Sequence, residues 1–179
     1  MNLDTNRYQR QIQLKEIGQL GQDKISNAKV LVIGAGGLGC PALQYLAAAG
    51  VGTIGIVDFD VVEMSNLQRQ ILYTVDDIGQ SKAIAAARKL NALNPEIKVE
   101  VYNVQITNRN ALEIIENYNL IIDGSDNFAT RYLINDACML LDKPLIYGAV
   151  LRFEGQIGVF NWTDETTNNK TNYRDLFPK

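Results

Sequence analysis

Hydrophobic residues along the chain fall into short branched runs separated by stretches of helical spacing. The run at 30–33, Val-Leu-Val-Ile, stops abruptly at Gly34, as a fully buried parallel strand does. Residues 41–49 are rich in helix formers and close on Gly50, and a second apolar run at 53–57 ends in Asp58. Residues 81–93 carry Ile84, Ala85, Ala86, Ala87, Leu90 and Leu93 in a helical pattern that Asn94-Pro95 terminates. Beyond it, 98–104 alternates polar residues with valine and predicts a strand exposed on one face. A short helix at 110–117, a third core strand at 120–123, a helix at 128–141 and a strand at 145–150 follow. Residues 154–160 alternate again, which suits an antiparallel strand near a sheet edge. Ahead of these elements, 5–27 reads as short helices, and 74–80 reads as a turn.

Strands that alternate with helices predict one α/β domain. The expected architecture is a Rossmann-like, doubly wound, mainly parallel sheet with an antiparallel edge strand and N-terminal helices. No internal repeat and no second domain is visible. From 163 to 179 the chain turns polar, and 166–172 reads as a mobile loop.

Composition narrows the functions. A net charge of −3 across 179 residues, without a basic stripe, argues against nucleic-acid binding. No apolar run is long enough to span a bilayer and the N-terminus is polar, so no membrane role is expected and the cytoplasm is the expected compartment. Cys40 and Cys138 form no metal or disulfide pattern and read as buried thiols. The chain has no histidine, which excludes His-based triads and His-ligated metals and leaves carboxylates, Lys, Arg and backbone dipoles for chemistry.

Gly34, Gly36 and Gly39 give G-x-G-x-x-G between the first strand and the following helix, with Asp58 about 20 residues on. Backbone N–H groups at such a helix start can cradle phosphate, and an acid in that place can accept hydrogen bonds from ribose hydroxyls. The same pattern without a ligand is a tight strand-to-helix turn. Asp58, Asp60 and Glu63 lead into a polar run, 65–70, at the carboxyl edge of the sheet. Arg69, Lys82 and, after the third core strand, Asp126 then suggest a triphosphate with Mg²⁺, the cations neutralising phosphate oxygens and the carboxylate holding the metal. Each also has a plainer reading: Lys82 as a solvated side chain, Asp126 as a helix cap, Arg7 and Arg10 as a solvated helical face. An NAD-dependent oxidoreductase would use Asp58 equally well, although no proton donor is evident and the phosphate-directed cations are surplus to it.

Seven short motifs stand in one order: Arg7-Tyr8-Gln9-Arg10-Gln11, Gly34-Ala35-Gly36-Gly37-Leu38-Gly39-Cys40, Asp58-Phe59-Asp60, Ser65-Asn66-Leu67-Gln68-Arg69-Gln70, Gly79-Gln80-Ser81-Lys82, Asp123-Gly124-Ser125-Asp126-Asn127 and Glu154-Gly155-Gln156. Together they resemble the MoeB/ThiF/HesA family, bacterial relatives of the ubiquitin-activating enzymes. The resemblance implies ATP-dependent adenylation of the C-terminal Gly-Gly carboxylate of a ubiquitin-like sulfur carrier of the MoaD/ThiS type, in molybdopterin or thiamine biosynthesis. It implies that Gly34, Gly36, Gly37 and Gly39 form the nucleotide turn, with Gly37 against the phosphates, and that Asp58 takes the ribose. It further implies that Asn66, Arg69 and Lys82 contact phosphates, that Asp126 holds Mg²⁺, and that Arg10 reaches the partner's site in a homodimer. On this reading 1–28 is a helical arm, 29–162 the ATP-binding adenylation domain and 163–179 a polar, mobile tail.

Two departures accompany the resemblance. Where many members carry Cys-Tyr-Arg-Cys, this chain has Asn172-Tyr173-Arg174-Asp175, so structural zinc is not expected. Members usually continue beyond the position of Lys179 with another strand and helix, so the chain reads as C-terminally shortened. A nucleotide-binding module without turnover is therefore a second expectation.

Overall fold

The protein's structure, a computed structural model, describes residues 5–163, 166, 167 and 169–178. Helices α1 (Thr5–Ile12) and α2 (Gly18–Asn27) precede β1 (Lys29–Ile33), α3 (Gly39–Ala49) and β2 (Thr53–Val57). The chain continues through α4 (Lys82–Leu93), β3 (Lys98–Tyr102), α5 (Ala111–Ile115), β4 (Leu120–Asp123) and α6 (Phe128–Leu140). It ends in β5 (Leu145–Leu151), β6 (Glu154–Phe160) and α7 (Tyr173–Leu176). The strands form one six-stranded sheet in the order β3-β2-β1-β4-β5-β6, parallel throughout except for the antiparallel β5–β6 pair.

The continuous apolar run of β1 is explained by its central place. Val30 and Val32 pack into one core with Leu43, Ala47, Ala83 and Leu90 of α3 and α4. Leu31 and Ile33 pack into another with Ile114, Ile115, Ile134 and Cys138 of α5 and α6. A strand buried on both faces cannot alternate apolar with polar. The chain winds outward from β1 to β3 and then returns to β4 on the other side of β1. The segments after β1 and β4 therefore leave toward opposite faces and open a crevice at the carboxyl ends of the strands.

Three local readings need correction. β3 ends at Tyr102, and Val101 and Val104 are 40% and 42% exposed. As an edge strand β3 pairs only with β2, and Val99 alone of its valines packs against the first core. The turn expected at 74–80 contains a 3-10 helix, Val75–Asp77. In the polar tail, Tyr173 is 1% exposed, its ring 4.7–5.8 Å from those of Tyr132, Tyr147, Phe160 and Phe177, and its N–H donates to Asn135 Oδ1 at 2.8 Å. Two aromatic residues among polar ones thus join the second core, while 164, 165, 168 and 179 lie outside the described residues. Both cysteines are free and buried. Among the described residues no helix is long and apolar enough to cross a membrane.

The N-terminal helices sit at the opposite end of the molecule from the crevice. Tyr8 is 1% exposed, and a Cβ on Gly50 would meet its ring at 2.5 Å. Arg7 Nη1 donates to Leu93 O at 3.1 Å, and Gln11 Nε2 to Ala49 O at 3.2 Å, so α1 lies across the C-terminal ends of α3 and α4.

Candidate nucleotide site at the switch point

A cavity of about 780 Å³ opens between the carboxyl ends of the strands. Gly34, Gly36, Gly37, Asp58, Asn66, Arg69, Lys82 and Asp126 all line it; Gly39 and Arg10 do not. Gly34 has φ +92°, a left-handed conformation, and a Cβ there would also lie 2.9 Å from Gly124 O. A Cβ on Gly39 would fall 1.8 Å from Gly34 O, so the third glycine of the motif packs the helix onto the turn rather than touching the cavity. At Gly36 and Gly37 the nearest neighbours of an added Cβ are the side chains of Gln70 and Arg69, at 3.6 Å or more.

Asp58 is 9% exposed and tied to the turn, with Oδ2 accepting from Ala35 N and Oδ1 from Asp60 N, both at 2.8 Å. Burial pushes its carboxyl above the usual carboxylate range, and these two N–H groups oppose the rise. Lys82 is not the solvated side chain its place at a helix start suggested: it is 6% exposed and its Nζ lies 2.9 Å from Asp60 Oδ2. The buried Tyr73 hydroxyl donates to Ala35 O at 2.9 Å, with Lys82 O at 3.2 Å, and so joins the glycine turn to the start of α4. Asn66 Oδ1 accepts from Glu63 N at 3.2 Å, and Arg69 Nη1 donates to Ser65 O at 3.3 Å.

Asp126 is exposed and has no hydrogen-bond or ion-pair partner among the described residues. The cap of α6 is Asn127, whose Oδ1 accepts from Thr130 N at 2.9 Å, so the cap reading of Asp126 is excluded and its carboxylate is uncommitted. Arg10 is exposed on α1, away from the cavity of its own chain.

The cavity wall also contains Val104, Gln105, Ile106, Thr130, Arg131 and Val150, none of which the sequence singled out. No local motif marks them; the topology gathers the loop after β3, the first turn of α6 and the end of β5 at one edge. In charge the lining sets Asp58, Asp60, Glu63 and Asp126 against Arg69, Lys82 and Arg131. No cluster of three or more His, Cys, Asp or Glu able to hold a metal occurs among the described residues. A single uncommitted carboxylate beside a glycine turn would suit Mg²⁺, which takes one or two carboxylates and fills its octahedron with phosphate oxygens and water.

The sequence profile of the ThiF family matches residues 8–179. The chain is 52% identical over 176 residues to a sulfur carrier protein adenylyltransferase of Thermus thermophilus, covering 98% of this chain and 65% of the relative. It is 54% identical over 173 residues to a probable adenylyltransferase/sulfurtransferase, MoeZ, of Mycobacterium tuberculosis, covering 97% of this chain and 44% of that one. The chain thus spans about two thirds or less of the length of these relatives. Among solved structures it is similar to the E. coli tRNA N6-threonylcarbamoyladenosine dehydratase TcdA in complex with ATP, with TM-score 0.78 and 27% identity over 85% of this chain and 64% of that one. A family profile that covers nearly every residue, on a doubly wound sheet whose switch-point cavity holds the motif residues, shows that the chain belongs to the ThiF family.

Proposed function

We propose that this chain carries an ATP-dependent adenylation site acting on the C-terminal Gly-Gly carboxylate of a ubiquitin-like sulfur carrier, in molybdopterin or thiamine biosynthesis. The observation that carries the reading is one cavity that joins a glycine turn, the cations Arg69 and Lys82, and an uncommitted carboxylate, Asp126. The relative named a sulfur carrier protein adenylyltransferase and the one named a probable adenylyltransferase/sulfurtransferase support it, as does the ATP complex of a structural neighbour.

A terminal carboxylate is already ionised at neutral pH, so a site without histidine needs no general base for it to attack. One carboxylate oxygen bonds to the α-phosphorus, the bond from that phosphorus to the bridging oxygen breaks, and pyrophosphate leaves with the electron pair. The protein aligns two anions and offsets their repulsion. On this reading Asp58 holds the ribose, Gly36 and Gly37 let the backbone approach the phosphates, and Asn66 orients them. Lys82 is held by Asp60 and the Arg69 stem lies near Gly37, which supports the reading that both cations would face the phosphates. Asp126 would hold Mg²⁺, which supplies charge to the leaving phosphates. The lining has more carboxylates than cations, so a triphosphate needs further positive charge; we assign it to the metal and to Arg10 of the partner in a homodimer.

Pyrophosphate exchange into ATP, with and without a carrier ending in Gly-Gly, tests the proposal. Exchange should depend on the carrier, and Asp126→Ala and Arg69→Ala should each lower it by roughly 10²–10³ with the fold retained. Wild-type exchange in either folded variant would overturn the assignment. ATP binding without exchange would favour a nucleotide-binding module, and preference for NADH over ATP would favour an oxidoreductase.

A further inference from the structure

Behind Asp126, the loop between β4 and α6 rests on three buried polar groups that satisfy one another only in part. Asp123, 1% exposed, accepts from Ser125 N through Oδ1 at 2.8 Å, while its Oδ2 has no partner. Ser125 Oγ and Arg131 Nε are likewise buried without partners. Arg131 lies one turn into α6 and is 9% exposed. Its Nη2 donates to Ser125 O at 3.0 Å, and its guanidinium carbon lies 5.4 Å from the ring centroids of both Phe128 and Tyr147.

A guanidinium is removed from water only where charge, hydrogen bonds or aromatic faces compensate it. Here the compensation is shared between the loop, through the bond to Ser125 O, the rings of Phe128 and Tyr147, and the neighbouring Asp123 and Tyr173. The carbonyl that Arg131 grips belongs to the Ser125–Asp126 peptide, which is planar, so holding its oxygen also sets the Asp126 N–H and the direction in which Cα leaves. On the other side Asn127 is held by its cap bond to Thr130 N. Asp126 has no side-chain partner among the described residues, so its position is inherited from these two anchors.

We propose that Arg131 is a positioning residue, which, held against Phe128 and Tyr147 and bonded to Ser125 O, aims the Asp126 carboxylate into the cavity. This rests on the reading of the cavity as a Mg²⁺–nucleotide site. Lysine would keep the charge opposite Asp123 but could not stack its head on two rings and point a rigid donor at the carbonyl.

The test is calorimetric binding of ATP to the wild-type chain, Arg131→Met, Arg131→Lys and Asp126→Ala, in Mg²⁺ and in a chelator, with thermal melts alongside. The measurement in chelator sets each variant's own metal-free affinity, which includes whatever contact Arg131, itself in the cavity wall, makes with the nucleotide, so the readout is the gain on adding Mg²⁺. The gain in affinity on adding Mg²⁺ should fall by roughly tenfold or more in both, and should vanish in Asp126→Ala. Arg131→Lys, which retains the buried charge, carries the test if Arg131→Met does not fold. A wild-type Mg²⁺ gain in the folded Arg131 variants, or an equal loss with and without metal, would overturn the positioning role alone. A wild-type chain that binds no ATP would overturn the reading of the cavity and this inference with it.

Discussion

Asp126 and Asn127 are adjacent polar residues with opposite duties. The amide closes the first turn of α6, and the carboxylate is left uncommitted at the cavity wall. Lys82 and Asp60 divide the work in another way, a buried ammonium held by a half-exposed carboxylate. Asp77 makes a purely structural contrast. Its fully buried carboxylate accepts from Thr74 N at 2.7 Å and from Thr74 Oγ1 at 3.0 Å, and it pairs with Lys89 at 2.9 Å and with Arg88. Burial would raise its pKa, but the Lys89 and Thr74 bonds outweigh burial and hold it below the ordinary value. A carboxyl whose pKa is lowered on folding stabilises the fold above its unfolded value, near 4, and that contribution disappears as the pH falls through the folded value. Asp77→Asn should therefore cost about 1–3 kcal/mol at pH 7, and the difference from wild type should shrink below about pH 4. Urea melts at the two pH values would show it; a gap that is constant with pH would refute the linkage.

At the level of elements, the strand–turn–helix unit divides its glycines by task. Gly34 supplies a left-handed backbone and Gly39 a close approach, while Gly36 and Gly37 face the cavity. The unit thus separates stability from binding. Gly39→Ala would drive a methyl into the Gly34 carbonyl, and a cost of about 3 kcal/mol or more should lower Tm by roughly 6–12 °C. Gly37→Ala meets nothing closer than the Arg69 stem and should melt near wild type, yet weaken ATP binding by roughly tenfold because the backbone can no longer approach the phosphates. Equal melting temperatures for the two variants would contradict this division.

For the whole molecule, the decisive fact is the distance between the two ends of the sheet. Arg10 is carried on a helix anchored through Tyr8, Arg7 and Gln11 at the C-terminal ends of α3 and α4, whereas the cavity lies at their N-terminal ends. An arginine so placed does not line the cavity of its own chain. If the proposed dimer shares Arg10 in trans, Arg10→Ala and Asp126→Ala chains should each be inactive alone. Mixed after subunit exchange, they should recover about a quarter of wild-type exchange, because half of the dimers are then mixed and each holds one complete site. No recovery in demonstrated heterodimers would assign Arg10 to a structural role.

Much of this protein is decided locally and was legible in the sequence. Branched apolar runs, helix formers, the Asn94-Pro95 stop and the glycine turn specify strands, helices and their order, because each depends on near-neighbour sterics and on burial of one face. The order of α and β elements in turn restricts the sheet to a doubly wound form, and the motif residues Asp58, Asn66, Arg69, Lys82 and Asp126 do line one cavity. Tertiary structure alone decided the rest. It made Gly39 a packing residue, gave the α6 cap to Asn127, drew Tyr173 from a polar tail into an aromatic cluster, and set Arg131 behind the Asp126 loop. In each case the deciding partner is distant in sequence or settled by one angle or contact of the folded chain: a carbonyl of the preceding strand end, a ring across the sheet, a peptide at a loop. Local propensity carries no information about such partners until the sheet has brought them together.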